Sequence, residues 1–310
     1  MQHNFWSLAA GVLIFLGLAT ALSNVVAWKL GRENPTVKNL LERVGAWWGL
    51  VGIGLPVLAA GRIATTLLFA FLSFLTLREF LSLTPTRPGD RPALFAAFFI
   101  AIPLQYFLVG TGWYGLFSIL IPVYGFFALS AVSVVAQDTE HFLERNAKIQ
   151  WAVMVCVYAI SHAPALLFLD IPHFDAGNGE LVLFFLLIVQ LSDVMQYVCG
   201  KLFGRRKLAP ILSPNKTWEG LVGGGLLATA IGSALHKFTP FTSGQAALLS
   251  AAVVVAGVTG GLVLSAVKRS LGAKDWGVSL PGHGGMLDRL DSVAFSAPIF
   301  FHLTRYFFAG

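Results

Sequence analysis

Charge is what this sequence has least of. Asp, Glu, Lys and Arg make up 12% of its 310 residues, against roughly 25% in soluble domains. Acidic residues are the scarcer sign, 15 against 21 basic ones. Cysteine is almost missing. Cys156 and Cys199 both lie in apolar segments, so neither a disulfide framework nor a thiolate zinc site is readable. No polar stretch is long enough to fold as a soluble domain, and there is no internal repeat or low-complexity tract. What is there instead is apolar: 56% hydrophobic residues, 26 Phe, 8 Trp and a mean hydropathy of +0.74. In water such a chain would present a large apolar surface; lipid is the solvent that suits it. Disorder is excluded, and a soluble enzyme does not fit. The 32 Gly suit close helix packing in a membrane.

A helix needs about 20 apolar residues to cross the hydrocarbon core. Candidate spans cover residues 5–28, 46–60, 63–83, 93–109, 113–136, 149–169, 181–199, 218–236, 246–267 and 292–308. The first is too long, and lacks the basic flank, to read as a cleaved signal peptide. The second is short enough to be re-entrant or tilted. The sequence therefore predicts an all-α polytopic membrane protein, a bundle of nine or ten transmembrane helices with a cytoplasm-facing polar site. It divides into N-terminal transmembrane helices (1–170) and a C-terminal catalytic region (171–310).

Basic residues set the orientation. With the N-terminus outside, the cytoplasmic segments carry Lys29, Arg32, Lys38, Arg43, Arg87, Arg91, Arg145, Lys148, Lys201, Arg205, Arg206, Lys207, Lys216, Lys268, Arg269, Lys274 and Arg289. The outer side keeps Arg62, Lys237 and Arg305, and Arg78 sits inside a helix. That asymmetry follows the positive-inside rule. It accounts for the net charge of +6 and the pI near 9.5 without a nucleic-acid partner.

Chemistry gathers in the second half; charges in the first half read mostly as interfacial anchors. Gln190, Asp193 and Tyr197 are spaced i, i+3, i+7 and share one helix face. An ionised Asp193 facing lipid would cost at least about 2.5–3.5 kcal/mol, so it is expected to face a polar cavity, a metal, or a basic structural partner. Lys201, Arg205, Arg206 and Lys207 follow as a basic run, readable as a membrane anchor or as a phosphate contact. In the run S-P-N-K-T-W-E-G, residues 213–220, Ser213 is a candidate N-cap with Pro214 in the first helical position. Helix N-termini attract phosphate, and Lys216 adds a charge there. Gly220 and Gly224 form a small-residue pair for helix contact.

A second polar segment begins at Ser265 and runs through Lys268, Arg269, Lys274 and Asp275 to Pro-Gly-His-Gly-Gly and then Asp288, Arg289 and Asp291. Its glycines, Gly284 and Gly285 among them, let backbone approach a ligand closely. Asp288 and Asp291 are i, i+3 at a helix start, placed to meet one divalent cation. Carboxylates suit Mg²⁺, which leaves positions for water and substrate phosphates. Lys268, Arg269 and Lys274 are candidates to neutralise a triphosphate. His283 is a loop hydrogen-bonder or a proton-handling group.

The pattern S-x-x-K-R-x4-K-D-x5-P-G-H-G-G-x2-D-R-x-D over 265–291 resembles the signature of the phosphatidate cytidylyltransferases, also called CDP-diacylglycerol synthases. The run K-L-F-G-R-R-K-L-A-P-x2-S-P-N-K-T-W-E-G over 201–220 is similar to a second hallmark of that family. The resemblance implies a polytopic, homodimeric inner-membrane enzyme that transfers CMP from CTP to phosphatidate and releases pyrophosphate. It further implies Mg²⁺, with room for a second cation beside it, on Asp288, Asp291 and Asp193. Asp288, Asp291, His283 and Lys274 would carry catalysis. Ser213, Lys216, Ser265, Lys268, Arg269, Asp275, Gly284, Gly285 and Arg289 would bind CTP and the lipid phosphate.

The sequence also departs from the family. Before the signature the family reads G-D-x-x-E-S, its Asp an expected metal ligand; here Gly261 and Leu264 stand at the acidic positions and Ser265 is retained. Around Asp193, D-T-x-A-Y has become D-V-M-Q-Y. These changes mark a divergent branch. Two readings follow: an enzyme with a reduced metal site, or a non-catalytic lipid- or nucleotide-binding paralogue.

Overall fold

The computed structural model describes residues 2–172, 174, 178–279 and 284–309. Among these, ten long helices form the molecule. They are α1 (Gln2–Leu30), α2 (Pro35–Ala59), α3 (Arg62–Leu83), α4 (Pro88–Thr111), α5 (Tyr114–Val134), α6 (Phe142–Phe168), α7 (Gly179–Phe203), α8 (Trp218–Ala234), α9 (Ser243–Ser270) and α10 (Leu287–Phe308). Eight are long and apolar enough to cross a membrane, and the protein is a multi-pass membrane protein. The other two, α2 and α10, carry charged N-terminal turns that lower their hydropathy: Lys38 and Glu42 on α2, Asp288, Arg289 and Asp291 on α10. The short span expected at 46–60 is the second half of α2, which runs 25 residues.

Three helices are locally widened to π geometry, at Ala97–Ala101, Leu120–Gly125 and Met154–Ala159. Leu120–Gly125 contains Pro122, and Pro103 and Pro164 follow the other two segments by two and five residues. Proline removes a backbone donor and crowds the preceding turn, and a π turn absorbs the mismatch. The π turn of α6 is enclosed by neighbouring helices, with 72% of that span's apolar window buried, whereas the span of α5 is only 17% buried.

Helices α7, α8, α9 and α10 pack as a sequential set, and α10 also lies against α3 and α6, so one core spans both halves of the chain. Phe185 and Phe300 stack at 5.2 Å in its centre. Close approach of α7 and α8 depends on glycine. A Cβ on Gly220 would lie 2.7 Å from the Gln196 carbonyl oxygen, and one on Gly224 would overlap the Gln196 backbone. The small-residue pair expected from sequence thus makes the helix contact.

The helix start expected at Ser213 is not there. Residues Ser213–Thr217 form strand β2, paired antiparallel with β1 (Lys207–Ala209). The cap is Thr217, whose Oγ1 accepts the Gly220 amide at 3.1 Å. Its extended backbone suits a β-branched residue that closes a strand and caps a helix. Glu219 ties the hairpin down by accepting the amides of Arg205 (2.9 Å) and Arg206 (3.1 Å).

The loops before α4 and α6 are joined by ions. Arg145 Nη1 lies 2.7 Å from Asp138 and 3.3 Å from Asp90, and Arg87 pairs with Glu140. The Arg87 hydrogen bond and charge hold the Glu140 carboxyl below the usual carboxylate range.

Overpacking a tight contact costs about 1–3 kcal/mol. Gly224→Ala is therefore expected to lower the thermal unfolding midpoint in detergent. Gly110→Ala, where a Cβ meets nothing within 4 Å, is expected to leave it unchanged.

Candidate active site at the start of the last helix

Two carboxylates from distant parts of the chain meet at the N-terminal end of α10. Asp193, in the second half of α7, and Asp291, in the second turn of α10, are both within reach of the Ser292 hydroxyl, at 3.0 Å and 3.4 Å. The neighbouring wall is α9 at Gly261. A Cβ there would stand 3.1 Å from Lys216 Nζ and 3.8 Å from Asp291 Oδ2. Lys216 and Arg289 act electrostatically on Asp193, and Lys216 and Lys268 on Asp291. The result is a small polar gap: two acids on two helices, a lysine delivered by the hairpin, and a glycine where the resemblance leads one to expect a third acid. Leu264, at the other departed position, is fully buried in the apolar core.

Asp288 behaves differently from Asp291. Its Oδ1 receives Lys268 Nζ at 2.5 Å, and its Oδ2 accepts the amides of Trp276 (2.8 Å) and Gly285 (2.9 Å). Both side chains of the ion pair are less than a tenth exposed. Asp288 thus spends its carboxylate on shaping the signature loop, and Asp193, not Asp288, is the acid that shares a hydroxyl with Asp291. Gly284 has φ of +77°, and a Cβ on Gly285 would run into the Glu79 carboxylate. These two positions require glycine for backbone shape and for room.

The other candidates fall around this centre. Ser265 turns its hydroxyl back to the Gly261 carbonyl at 2.6 Å. Arg269 is exposed and donates to the Ala273 carbonyl at 3.1 Å. Lys274 and Asp275 are exposed at the rim. Ser213 is partly buried in β2. His283 lies outside the described residues.

Sequence reasoning missed Glu79. It sits in the last turns of α3, only 3% exposed. It accepts the Ser279 hydroxyl at 2.5 Å, the Met286 amide at 2.9 Å and the Leu287 amide at 2.8 Å. Beside it Phe80 stacks on the fully buried Trp276 at 4.8 Å. A Glu beside Arg78 and four residues before the end of an apolar run is indistinguishable from an interfacial anchor in sequence; the available signal was the residue's cost if it faced lipid.

Among the described residues no three His, Cys, Asp or Glu side chains converge as a metal cage. Two carboxylates beside a basic residue still suit Mg²⁺ held jointly with phosphates, since this ion commonly takes one or two protein carboxylates and completes its shell with water and substrate. The donor set at Asp193 and Asp291 fits that mode.

Residues 41–307 match the cytidylyltransferase family. The chain belongs to that family. It is 38% identical over 300 residues to the uncharacterized protein YnbB of Escherichia coli, covering 96% of this chain and 97% of that one. It is 30% identical over 247 residues to the phosphatidate cytidylyltransferase of Staphylococcus saprophyticus (79% of this chain, 91% of the relative). It is also 30% identical over 253 residues to the phosphatidate cytidylyltransferase of Staphylococcus haemolyticus (80% and 92%). Family membership places the two acids and Lys216 in a protein related to nucleotide-transferring enzymes of lipid.

Removing one partner of a buried ion pair costs about 3–5 kcal/mol because the other charge is left uncompensated. Lys268→Met is accordingly expected to lower the unfolding midpoint sharply. The double variant Lys268→Met, Asp288→Leu is expected to recover part of the loss, which thermal denaturation in detergent checks.

Proposed function

We propose that this protein is a phosphatidate cytidylyltransferase of the inner membrane, its site opening to the cytoplasm. A phosphate oxygen of phosphatidate attacks the α-phosphorus of CTP. The bond from that phosphorus to the β-phosphate bridging oxygen breaks, pyrophosphate leaves, and CDP-diacylglycerol remains in the bilayer. The observation that carries the reading is the Asp193–Asp291 pair with Lys216 beside it, in a chain of this family.

The chemistry asks for positioning and charge compensation more than for a covalent intermediate. Lys216 is placed to meet phosphate charge at the gap. Arg289 offsets Asp193, so that two acids and an incoming polyanion are tolerated together. Asp193 and Asp291 would hold Mg²⁺. When bound, the ion supplies electrostatic relief to the triphosphate and favours pyrophosphate departure. Lys268 and Asp288 set the loop that follows α9, and there Arg269 in the last turn of α9 and Lys274 in the loop face water, where a triphosphate arrives. Loops preceding α2, α4, α6, α8 and α10 emerge on one side if every helix crosses, and that side holds most of the Lys and Arg, as cytoplasmic loops do. CTP is available there, and the lipid phosphate lies at the same interface.

Gly261 and Leu264 favour a second reading, a lipid- or nucleotide-binding paralogue without turnover. Purified protein in detergent with CTP, phosphatidate and Mg²⁺ is expected to release pyrophosphate and form CDP-diacylglycerol, identified by mass. Asp291→Asn is expected to lower the rate at least about 100-fold while insertion and folding persist. Absence of product from folded wild-type protein that still binds CTP would favour the paralogue. Gly261→Asp places an acid beside Lys216 and is expected to lower activity by drawing that lysine away. If activity arises only in this variant, the natural chain is the binding protein.

A further inference from the structure

We propose that Glu79 is a positioning residue for the reaction, and that the N-terminal helices thereby form part of the active site. The inference rests on the cytidylyltransferase reading above for its consequence in catalysis, but its structural content stands apart from it.

A carboxylate buried in an apolar bundle is costly unless donors surround it. Glu79 is surrounded: one hydroxyl and two amides, all from the segment that leads into α10. The amides of Met286 and Leu287 are among the first of that helix, which have no acceptor within it. A negative charge there also meets the positive end of the helix dipole. Every one of these donors lies about 200 residues further along the chain than Glu79. A residue required only for packing of α3 would not need them.

The geometry around Glu79 is exclusive. A Cβ on Gly285 would collide with its carboxylate, and one on Gly277 would stand 3.3 Å from it. The described residues of the segment, 277–279 and 285–287, close around this one group. Phe80, the next residue, stacks on Trp276 and fixes the other arm of the loop. Asp288 collects the Trp276 and Gly285 amides from the opposite side. The loop is therefore held between two carboxylates, one belonging to α10 and one belonging to α3.

Asp291 follows Leu287 by four residues, about 6 Å along a helix axis. Any shift of the anchored turn is carried to Asp291, and with it to its spacing from Asp193 and Lys216. Misplacement of a reacting group by about 1 Å costs on the order of 100-fold in rate. Glu79 touches neither substrate nor the gap itself; it acts through the start of α10.

Glu79→Gln keeps the shape but puts an NH2 donor in place of one carboxylate oxygen, so that one of the Met286 and Leu287 amides loses its acceptor and the other faces a neutral carbonyl instead of a charge. In hydrogen exchange of the full-length protein in detergent, the amides of Met286 and Leu287 are expected to exchange at least about tenfold faster, with those of α7 unchanged. In pyrophosphate release, kcat is expected to fall at least about tenfold with KM for CTP within about threefold. Ser73→Ala serves as the control for a general weakening of α3, because Ser73 hydrogen bonds Tyr106 at 2.7 Å, away from the loop. It is expected to lower the unfolding midpoint with neither effect. Unchanged exchange at Met286 and Leu287 in Glu79→Gln would overturn the proposal, as would an equal loss of kcat in Ser73→Ala. If wild-type protein releases no pyrophosphate, the functional reading fails, while the exchange measurement still decides whether Glu79 holds the loop.

Discussion

The structure depends on how charge is kept in an apolar bundle. Lipid offers no partner to a buried carboxylate or a free amide, so each must find one in the protein. At the start of α10 the chain solves both problems together. Amides of the signature loop that no strand or helix satisfies are taken up by Glu79 and Asp288, and Asp288 is balanced by Lys268. Once the loop is fixed in this way, α10 has one orientation against α9 and α7, and Asp291 has one place opposite Asp193. Among the described residues the reactive pair has a shared hydroxyl, the Ser292 amide on Asp291 Oδ1 and nearby cations, which leaves carboxylate oxygen positions for a ligand.

Acids in this site divide into two kinds of work. Glu79 and Asp288 have saturated carboxylates and give shape. Asp193 and Asp291 have few protein partners and supply charge. The division is not visible in the motif, where Asp288 and Asp291 stand in equivalent i, i+3 positions. It comes from which side of the first two helical turns each residue occupies: Asp288 turns to α9 and the loop, Asp291 to α7 and the hairpin.

Much of the fold was legible because long apolar runs have a single stable outcome in lipid. Charged ends hid part of α2, and the Pro-bearing spans gave no sign of their π turns. The candidate site was legible in the second half of the chain because Asp193, Lys216 and Asp291 are charges that an apolar setting tolerates only with a partner or a ligand. Ser213 misled because Ser-Pro is a helix-start pattern; pairing with Lys207–Ala209 overrode it, and Thr217, four residues on, took the cap. Glu79 was illegible because its partners lie in a segment that only the fold brings to it.

The hairpin that carries Lys216 has a further consequence. The ribbon is not a regular ladder: Lys207 faces Thr217 and Ala209 faces Ser213, so β2 takes four steps where β1 takes two. Such an irregularity bends a strand and re-aims its side chains. Here two consecutive residues both turn inward, Thr217 as the buried cap of α8 and Lys216 with its Nζ beside Gly261. The place of Thr217 is set by the helix it begins, whereas the reach of Lys216 is set by the bend, so a ribbon straightened to a regular register would keep the cap and lose the lysine from the gap.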